Sequence, residues 1–258
     1  MTKFQKGVDI FPNLWYNIGM KGVDAMHTTE KFIVLDVEGM SGLAPYNVGY
    51  IIADRHGKIY KRHSVALPAH IWENITDALR IGQAIDMTKK NVQEILMDAN
   101  NRKRKRKYQM LSDSEFISLF LKEINRYKVK RIFAYNVKFD KAAISHLFGD
   151  RFNELNKIEW CDIISGILPR LLTKKYLEFC LTNGYVTDKG NFQYKAEFVY
   201  QYLTNDLNFK EEHTGLADVL IEYFILLSSF KSHKALNFNP ICAWRVLKNF
   251  AESIGVAA

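Results

Sequence analysis

The sequence predicts an α/β fold in which a mixed β-sheet is flanked by helices, and three observations indicate it. The apolar run Phe32-Ile33-Val34-Leu35 is typical of a buried central strand. Two β-rich segments, 46–53 and 59–65, flank a turn that ends at Gly57, which predicts an antiparallel hairpin. Further along, helical, strand and helical patterns follow one another over 112–144, as in layered α/β domains.

Composition limits the class of protein. With 258 residues, 48% of them hydrophobic and 13% aromatic, the chain suits one large folded domain with appendages. Three distant cysteines, Cys161, Cys180 and Cys242, match no metal-ligand spacing and indicate core thiols in a reducing compartment. We find no pattern of a membrane span or a signal peptide, so we expect a soluble, cytoplasmic protein.

The positive charge is concentrated in one run. Six consecutive cations form it: Arg102, Lys103, Arg104, Lys105, Arg106 and Lys107. Subtracting them from the formal net charge of +8 leaves only +2. Such a run is either a solvated loop or an arm that contacts phosphates, and we favour the arm because loosely placed cations still add affinity for nucleic acid.

The remaining elements follow from caps and periodicity. Residues 71–100 are mostly helical in pattern, with Gly82 as a possible break, and Ser112 with Glu115 predicts a capping box. Asp162 is expected to cap a helix, and a helix over 171–181 should stop at Asn183-Gly184. We also predict a turn over 188–191 and helices over 196–203, 219–230 and 243–254, and we interpret 1–30 as an irregular N-terminal arm.

Two acids follow the central strand. Asp36 and Glu38 are two residues apart, so on a strand both side chains point to the same face. Two adjacent carboxylates at the end of a buried strand repel each other, and either one takes up a proton or a cation lies between them. The alternative is that the strand has ended and both acids are solvated.

The later acids also have structural explanations. Asp140 follows the strand at 131–135 and is placed where an aspartate caps a helix. Asp218 lies in the first turn of a long apolar helix, and the spacing of Thr214, Asp218 and Glu222 permits one narrow solvent-facing seam. A lone histidine such as His213 is more often a surface or capping residue than a catalyst.

Taken together, these residues resemble a known pattern. Asp36-x-Glu38 on a first strand, Asn136-x-x-Phe139-Asp140 after a later strand, and His213 followed by Asp218 at a late helix resemble the DEDD superfamily of 3′→5′ exonucleases. The match is to the DEDDh branch, which includes polymerase proofreading subunits and ribonuclease T, and is most similar to phage-encoded members. It spans about 31–232. The arm (1–30), the cationic run and a C-terminal helical extension (233–258) lie outside it.

This resemblance implies a ribonuclease H-like fold and a two-metal mechanism. Asp36, Glu38, Asp140 and Asp218 would bind two Mg²⁺ or Mn²⁺ ions, which prefer carboxylate oxygen. Asp36 would bridge both ions, Glu38 and Asp218 would serve the nucleophile side, and Asp140 the leaving-group side. His213 would be the general base, since histidine titrates near neutrality.

The expected partner is the 3′ end of a single-stranded nucleic acid, with DNA favoured over RNA. Met40 and Phe139 are candidates for packing on terminal bases, although core packing explains Phe139 equally well, and Asn136 is a candidate for polar contact. Where the family often has Thr-Thr-Gly after Asp-x-Glu, this chain has Gly39-Met40-Ser41-Gly42. A non-catalytic nucleic-acid-binding module on the same fold is the alternative function.

Overall fold

A six-stranded mixed sheet forms the centre of the computed structural model, which describes residues 30–39, 45–80, 90–100, 107–232 and 236–256. The strands are β1 (Lys31–Gly39), β2 (Pro45–Asp54), β3 (Ile59–Ala66), β4 (Gln109–Met110), β5 (Arg131–Ala134) and β6 (Glu159–Asp162). Their order is β4-β3-β2-β1-β5-β6. The pairs β1–β2 and β2–β3 are antiparallel, whereas β3–β4, β1–β5 and β5–β6 are parallel. The predicted α/β class with a mixed sheet is confirmed.

Helices cover both faces of this sheet. They are α1 (Pro68–Arg80), α2 (Lys90–Asn100), α3 (Asp113–Tyr127), α4 (Val137–Phe148), α5 (Ile163–Leu171), α6 (Lys174–Thr182), α7 (Ala196–Thr204), α8 (Gly215–Ser232) and α9 (Ala243–Ser253), with a 3₁₀ helix at Gly149–Leu155. The helical pattern predicted over 71–100 corresponds to α1 and α2. Gly82 and the predicted arm before Glu30 lie outside the described residues.

The alternation of β1 determines which residues face which layer. Phe32 and Val34 belong to the core shared with α5 to α9, whereas Ile33 and Leu35 belong to the core shared with α3 and α4. Strand residues of equal parity share a face. The side chains of Asp36 and Glu38 therefore point to the layer that contains α8.

Local chemistry explains most helix ends. The capping box is confirmed, because Ser112 N donates to Glu115 Oε2 at 2.8 Å and Glu115 N donates to Ser112 Oγ at 3.4 Å. Asp162 caps α5 through a 3.0 Å hydrogen bond from Ile164 N. The hairpin is confirmed too, with Gly57 at φ +94° in its turn.

One predicted helix begins in the wrong place. The pattern over 171–181 suggested a single helix, but α5 ends at Leu171 and α6 begins at Lys174. Thr173 has an extended backbone, and its hydroxyl accepts the Tyr176 amide at 3.2 Å. A side-chain cap of this kind starts a new helix where an apolar pattern alone would continue the old one. The predicted end is confirmed, with Gly184 at φ +71°.

The C-terminal segment packs against the end of the sheet. Asp162 N donates to Phe238 O at 2.8 Å, which joins the segment to the last residue of β6. The ring of Phe238 occupies the space over Gly166, where an added Cβ would lie 2.3 Å from a ring carbon. The predicted C-terminal helix is α9, and its buried face consists of Ala243, Leu247 and Ala251.

Two further expectations concern the thiols and the membrane. Cys161 and Cys180 are buried free thiols, as predicted, but Cys242 is exposed because it directly precedes α9 at the surface. Within the described ranges, no helix combines the length and the apolar character that crossing a bilayer requires.

Candidate active site

Two carboxylates lie on the central strand with a single residue between them. Asp36 and Glu38 belong to β1 and pair with Gly49 and Asn47 of β2. The predicted common face is therefore confirmed. The strand continues to Gly39, so these acids lie within it, and the Oδ2 atom of Asp36 is buried. The alternative of two solvated acids beyond the end of a strand is wrong for Asp36.

A close contact between glycines places α8 against these acids. A Cβ atom on Gly49 would lie 2.0 Å from the carbonyl carbon of Gly215, so neither position has room for a side chain. The Asn47 amide completes the contact: its Oδ1 accepts the Gly215 amide at 2.9 Å, and its Nδ2 donates to Val65 O at 2.6 Å. The first turn of α8 is thereby fixed over the Asp36–Gly49 pair.

The polar seam of α8 faces inward. Thr214, Asp218 and Glu222 are 6%, 7% and 4% exposed, so the solvent-facing seam considered from their spacing is wrong. The reason is the glycine contact, which turns this side of the helix towards β1. Asp218 and Glu222 both line the cleft that also contains Asp36 and Glu38.

Asp140 is not a helix cap. Helix α4 begins at Val137, so Asp140 lies inside its first turn, and the residue at the N-cap position is Asn136 in a left-handed conformation. Asp140 is 2% exposed and accepts the Val37 amide at 3.0 Å through Oδ1. Because Val37 lies between Asp36 and Glu38, this hydrogen bond joins the third acid to the other two.

His213 precedes α8 in a strained backbone conformation. Its φ of +51° is uncommon for a residue with a side chain, and its side chain is exposed. The segment is anchored to α7, because Glu211 N donates to Glu197 Oε2 at 3.0 Å. One potential ligand atom from each of Glu38, His213 and Asp218 lies within 4.8 Å of the others.

The acids raise one another's pKa values. Burial, followed by the charges of Asp140, Asp218 and Glu38, raises the pKa of Asp36 well above its usual range. Burial raises the pKa of Asp140 strongly, although the Val37 hydrogen bond opposes it. Burial and then Glu211 and Glu38 raise the pKa of Asp218 to about 8.

Glu222 belongs to the same cluster, although its sequence context predicts no chemistry for it. Burial and then Asp36, Asp140 and Asp218 raise the pKa of the Glu222 carboxyl well above its usual range. The only signal in the sequence was its four-residue spacing from Asp218, which fits either face of a helix equally well. Asn47 and Gly49 were missed as well, because their role depends on a contact with a residue 168 positions away from Asn47.

These residues fit divalent cations. Three buried carboxylate oxygens, Asp36 Oδ2, Asp218 Oδ1 and Glu222 Oε2, have no hydrogen-bond partner among the described residues. Unpaired buried carboxylate oxygens are costly, and the cost is removed by a proton or a cation. Hard cations such as Mg²⁺ and Mn²⁺ prefer oxygen ligands, and Glu38, His213 and Asp218 are already grouped as a ligand set.

Asp36, Glu38, Asp218 and Glu222 line an open cleft of about 610 Å³, whereas Asp140 does not line it. The same cleft is lined by Thr187, by residues 191–196 and by residues at the start of α9, including Trp244. Asp162 also lines the cleft, but its Oδ1 is occupied by the amides of Ile164 and Asn136. The lining of the cleft therefore combines carboxylates with aromatic and amide side chains.

The predicted nucleic-acid contacts have different positions. Asn136 is exposed and lines the cleft. Phe139 is 41% exposed, so the alternative of core packing is wrong, although Phe139 is not one of the cleft-lining residues. Lys107 Nζ pairs with Glu94 Oε2 at 2.8 Å, so its charge is used within the fold. Met40 and the cations Arg102, Lys103, Arg104, Lys105 and Arg106 lie outside the described residues.

No protein-family model matches the chain, and no curated protein matches it either.

Proposed function

We propose that the protein is a divalent-metal-dependent 3′→5′ exonuclease that hydrolyses phosphodiester bonds at the 3′ end of nucleic acid. A ribonuclease H-like identity of the α/β fold is part of this proposal, and so is a cytoplasmic location. DNA is the favoured substrate, and RNA is the second polymer to test. The 3′ polarity follows from the resemblance to DEDDh exonucleases.

The convergence of acids from three separate elements supports this proposal. Asp36 and Glu38 come from β1, Asp140 from α4, and Asp218 from α8, and His213 adjoins Glu38 and Asp218. Evidence that the cluster is built for cations comes from the unpaired buried oxygens of Asp36 and Asp218. What distinguishes these oxygens is that they come from separate elements and belong to residues that line one cleft.

Each residue has a task in hydrolysis. Asp36, Glu38, Asp140 and Asp218 would hold two Mg²⁺ or Mn²⁺ ions, which when bound supply the Lewis acidity for attack by water and departure of the leaving oxygen. The exposed imidazole of His213 accepts the proton of the attacking water. The Val37 amide orients the Asp140 carboxylate, and the Asn47 and Gly49 contacts hold Asp218 in place.

A digestion panel tests the proposal. Single-stranded DNA, duplex DNA and RNA, each labelled at the 5′ end or at the 3′ end, are incubated with Mn²⁺, with Mg²⁺ and with EDTA. We expect mononucleotides from the 3′-labelled strands from the start and a descending ladder from the 5′-labelled strands, in the presence of metal only. Asp36→Asn protein prepared in parallel should be inactive, which excludes a contaminating nuclease.

Two results would contradict the proposal. Full activity in EDTA would exclude the two-metal mechanism. Tight nucleic-acid binding without cleavage under any metal condition would favour the non-catalytic module on the same fold.

A further inference from the structure

Part of the cleft lining comes from residues outside the part of the chain that resembles exonucleases, and another part comes from a short hairpin inside it. Trp244 and Ile241, from the C-terminal extension, line the cleft and are each 39% exposed. Phe192, Gln193, Tyr194 and Lys195 line it from the hairpin segment. We refer to these six residues as the aromatic wall.

The hairpin part of the wall is held rigidly. Val186 and Phe192 form an antiparallel bridge, and Gln193 N donates to Tyr185 O at 2.9 Å. Two phenol groups from the body of the domain then fix consecutive carbonyls of the segment. The Tyr176 hydroxyl donates to Gln193 O at 2.8 Å, and the Tyr135 hydroxyl donates to Tyr194 O. The wall thus has a defined shape before any ligand binds, which lowers the entropic cost of binding.

The position of Trp244 is fixed by its neighbour. Ala243 is 2% exposed and belongs to the buried face of α9, which packs on the main core. Trp244 follows it at the start of the helix, where its ring is directed to the cleft and remains partly exposed. A single exposed aromatic residue is ordinary in a folded protein. What sets Trp244 apart is its place in the cleft that contains the acid cluster.

Cations accompany this ring. The guanidinium of Arg245 lies 5.4 Å from the centroid of the Trp244 ring, and exposed Lys195 lines the same cleft. An acidic cluster alone repels phosphates, so a nucleic acid needs positive charge on another side of the site. Aromatic rings that stack on bases, with nearby cations for the backbone, are the usual means of binding single strands. Asn136, Asn191 and Gln193 add amide groups that suit the edges of bases.

We propose that the aromatic wall binds an unpaired base of the substrate strand by stacking on Trp244, with Arg245 and Lys195 on the adjoining phosphates. This inference rests on the proposed function and adds a strand preference to it. A base in a duplex is already stacked and paired. It reaches Trp244 only after it has been unpaired and unstacked from the duplex, and this unpairing costs a few kcal/mol. The wall therefore selects single-stranded 3′ ends over blunt duplex ends.

A binding experiment with matched tryptophan variants tests this inference. A fluorescein-labelled oligodeoxynucleotide with phosphorothioate linkages at its 3′ end is titrated in Ca²⁺, with its length checked afterwards. Trp244→Ala should weaken binding by about 5- to 150-fold, the range expected for one stacked base. Trp244→Phe should retain most of the affinity. Trp72→Ala is the control, since Trp72 is 53% exposed on α1 and does not line the cleft.

Three further readouts distinguish stacking from a general loss of structure. Quenching of tryptophan fluorescence by the oligonucleotide should persist in Trp72→Ala and disappear in Trp244→Ala. Affinity for a blunt duplex should be nearly equal in wild type and Trp244→Ala, so the preference for single strands should shrink. Thermal unfolding of all variants should agree within a few degrees.

The possible outcomes distinguish the proposal of base stacking on Trp244 from the proposal of exonuclease activity. If wild type cleaves 3′ ends and Trp244→Ala binds as tightly as Trp72→Ala, base stacking on Trp244 is disproved and the exonuclease proposal is retained. If wild type binds through Trp244 without cleaving under any metal condition, base stacking on Trp244 is supported and the exonuclease proposal is wrong. A wild-type protein that neither binds nor cleaves overturns both.

Discussion

The amide of Val37 donates a 3.0 Å hydrogen bond to Oδ1 of Asp140, so the residue between two strand carboxylates orients a third carboxylate from a helix 103 positions later. Charge-assisted hydrogen bonds of this kind favour the ionised form of the acceptor. Burial has the opposite effect on the Asp140 pKa and is the larger cause. Asp140 is thus held in one orientation in a site where its charge needs a cation.

The contact between Gly49 and Gly215 should be essential for both stability and activity. In Gly49→Ala the new Cβ would lie 2.0 Å from the Gly215 carbonyl carbon, so α8 has to move away from β1. Overpacking of this kind costs about 1–3 kcal/mol, occasionally more. We expect a loss of that size in the free energy of unfolding, measured by urea titration, and a fall in turnover of at least tenfold as Asp218 leaves the cluster.

Gly184→Ala is the matched control for this change. Its Cβ would meet nothing within 4 Å, but its φ of +71° makes alanine unfavourable there by about 1–2 kcal/mol. The two variants should therefore be comparably destabilised, while only Gly49→Ala loses turnover at a temperature where both are folded. Equal turnover in the two would show that the glycine contact does not position the site.

Stability without metal should decrease as the pH rises from about 4 to 8. Asp218 has a pKa of about 8 in the folded chain and about 3.9 when unfolded. Between these values the folded state retains a proton that the unfolded state has lost, so raising the pH favours unfolding. In EDTA, the Tm should fall between pH 5 and pH 8 by about 2–4 °C per kcal/mol of stability lost.

Bound metal should oppose this loss of stability at high pH. Cations compete with protons for the same carboxylates and bind the folded state, so Mn²⁺ should raise the Tm more at pH 8 than at pH 5. In EDTA, the Tm of the Asp218→Asn variant should fall less between these pH values than the Tm of wild type. A Tm in EDTA that rises steadily over this range, in wild type and variant alike, would show that the cluster is not protonated in the folded state.

Glu222 should destabilise the acid cluster when no metal is bound and stabilise a cation when one is bound. Replacing this buried carboxyl group by its isosteric amide removes a group that, without metal, must either keep a proton or repel Asp36, Asp140 and Asp218. We expect Glu222→Gln to have a Tm a few degrees higher than wild type in EDTA at pH 8, and a smaller increase on adding Mn²⁺. Differential scanning fluorimetry measures both quantities on the same samples.

Glu123→Gln is the control for Glu222→Gln. Both glutamates are buried, at 5% and 4% exposure, and both have an Oε2 atom without a partner among the described residues. Glu123 lies on α3, on the other face of the sheet from Asp36. Its replacement should leave the Mn²⁺-induced rise in Tm unchanged. The same reduced rise in both variants would mean that Glu222 does not act on the cation site.

His213 and Asp218 should differ in their effect on metal binding. If His213 is the general base, His213→Ala lowers turnover by about 10²–10⁴-fold and leaves Mn²⁺ affinity nearly unchanged. Asp218→Ala weakens Mn²⁺ binding as well as turnover, because a carboxylate ligand is removed. Calorimetric titration with Mn²⁺ separates the two. Since the ligand atoms of Glu38, His213 and Asp218 lie within 4.8 Å, an equal loss of metal affinity in both variants would identify His213 as a ligand instead.

Patterns that depend on near neighbours in the chain could be predicted from the sequence. The common face of Asp36 and Glu38 follows from strand alternation, and the capping box at Ser112 follows from a four-residue motif. The direction of the α8 seam could not be predicted, since the spacing of Thr214, Asp218 and Glu222 fits either orientation of the helix. It is determined by Gly49 and Asn47, whose contacts with Gly215 span 166 and 168 positions. The aromatic wall could not be predicted for the same reason, because only the fold brings Trp244 and Tyr194 to the same cleft.

The cationic run should act on affinity and not on chemistry. Lys107 already pairs with Glu94, and its backbone amide donates to Asp98 at 2.8 Å, so we exclude it from the variant. Replacing Arg102, Lys103, Arg104, Lys105 and Arg106 with serine should weaken substrate binding and flatten the dependence of log K on log salt. For single strands the slope falls by about 0.7 for each phosphate that the protein no longer neutralises.

Lys107→Ser is the matched control, since it removes a cation from the same run. Because its charge is used by Glu94, we expect a small loss of stability and an unchanged salt slope. The single-turnover rate at saturating substrate should be close to wild type in both variants, as neither contains a change among the acids of the cleft. If the five-serine variant binds normally but loses its single-turnover rate, the run takes part in the reaction and its interpretation as a phosphate-contacting arm is wrong.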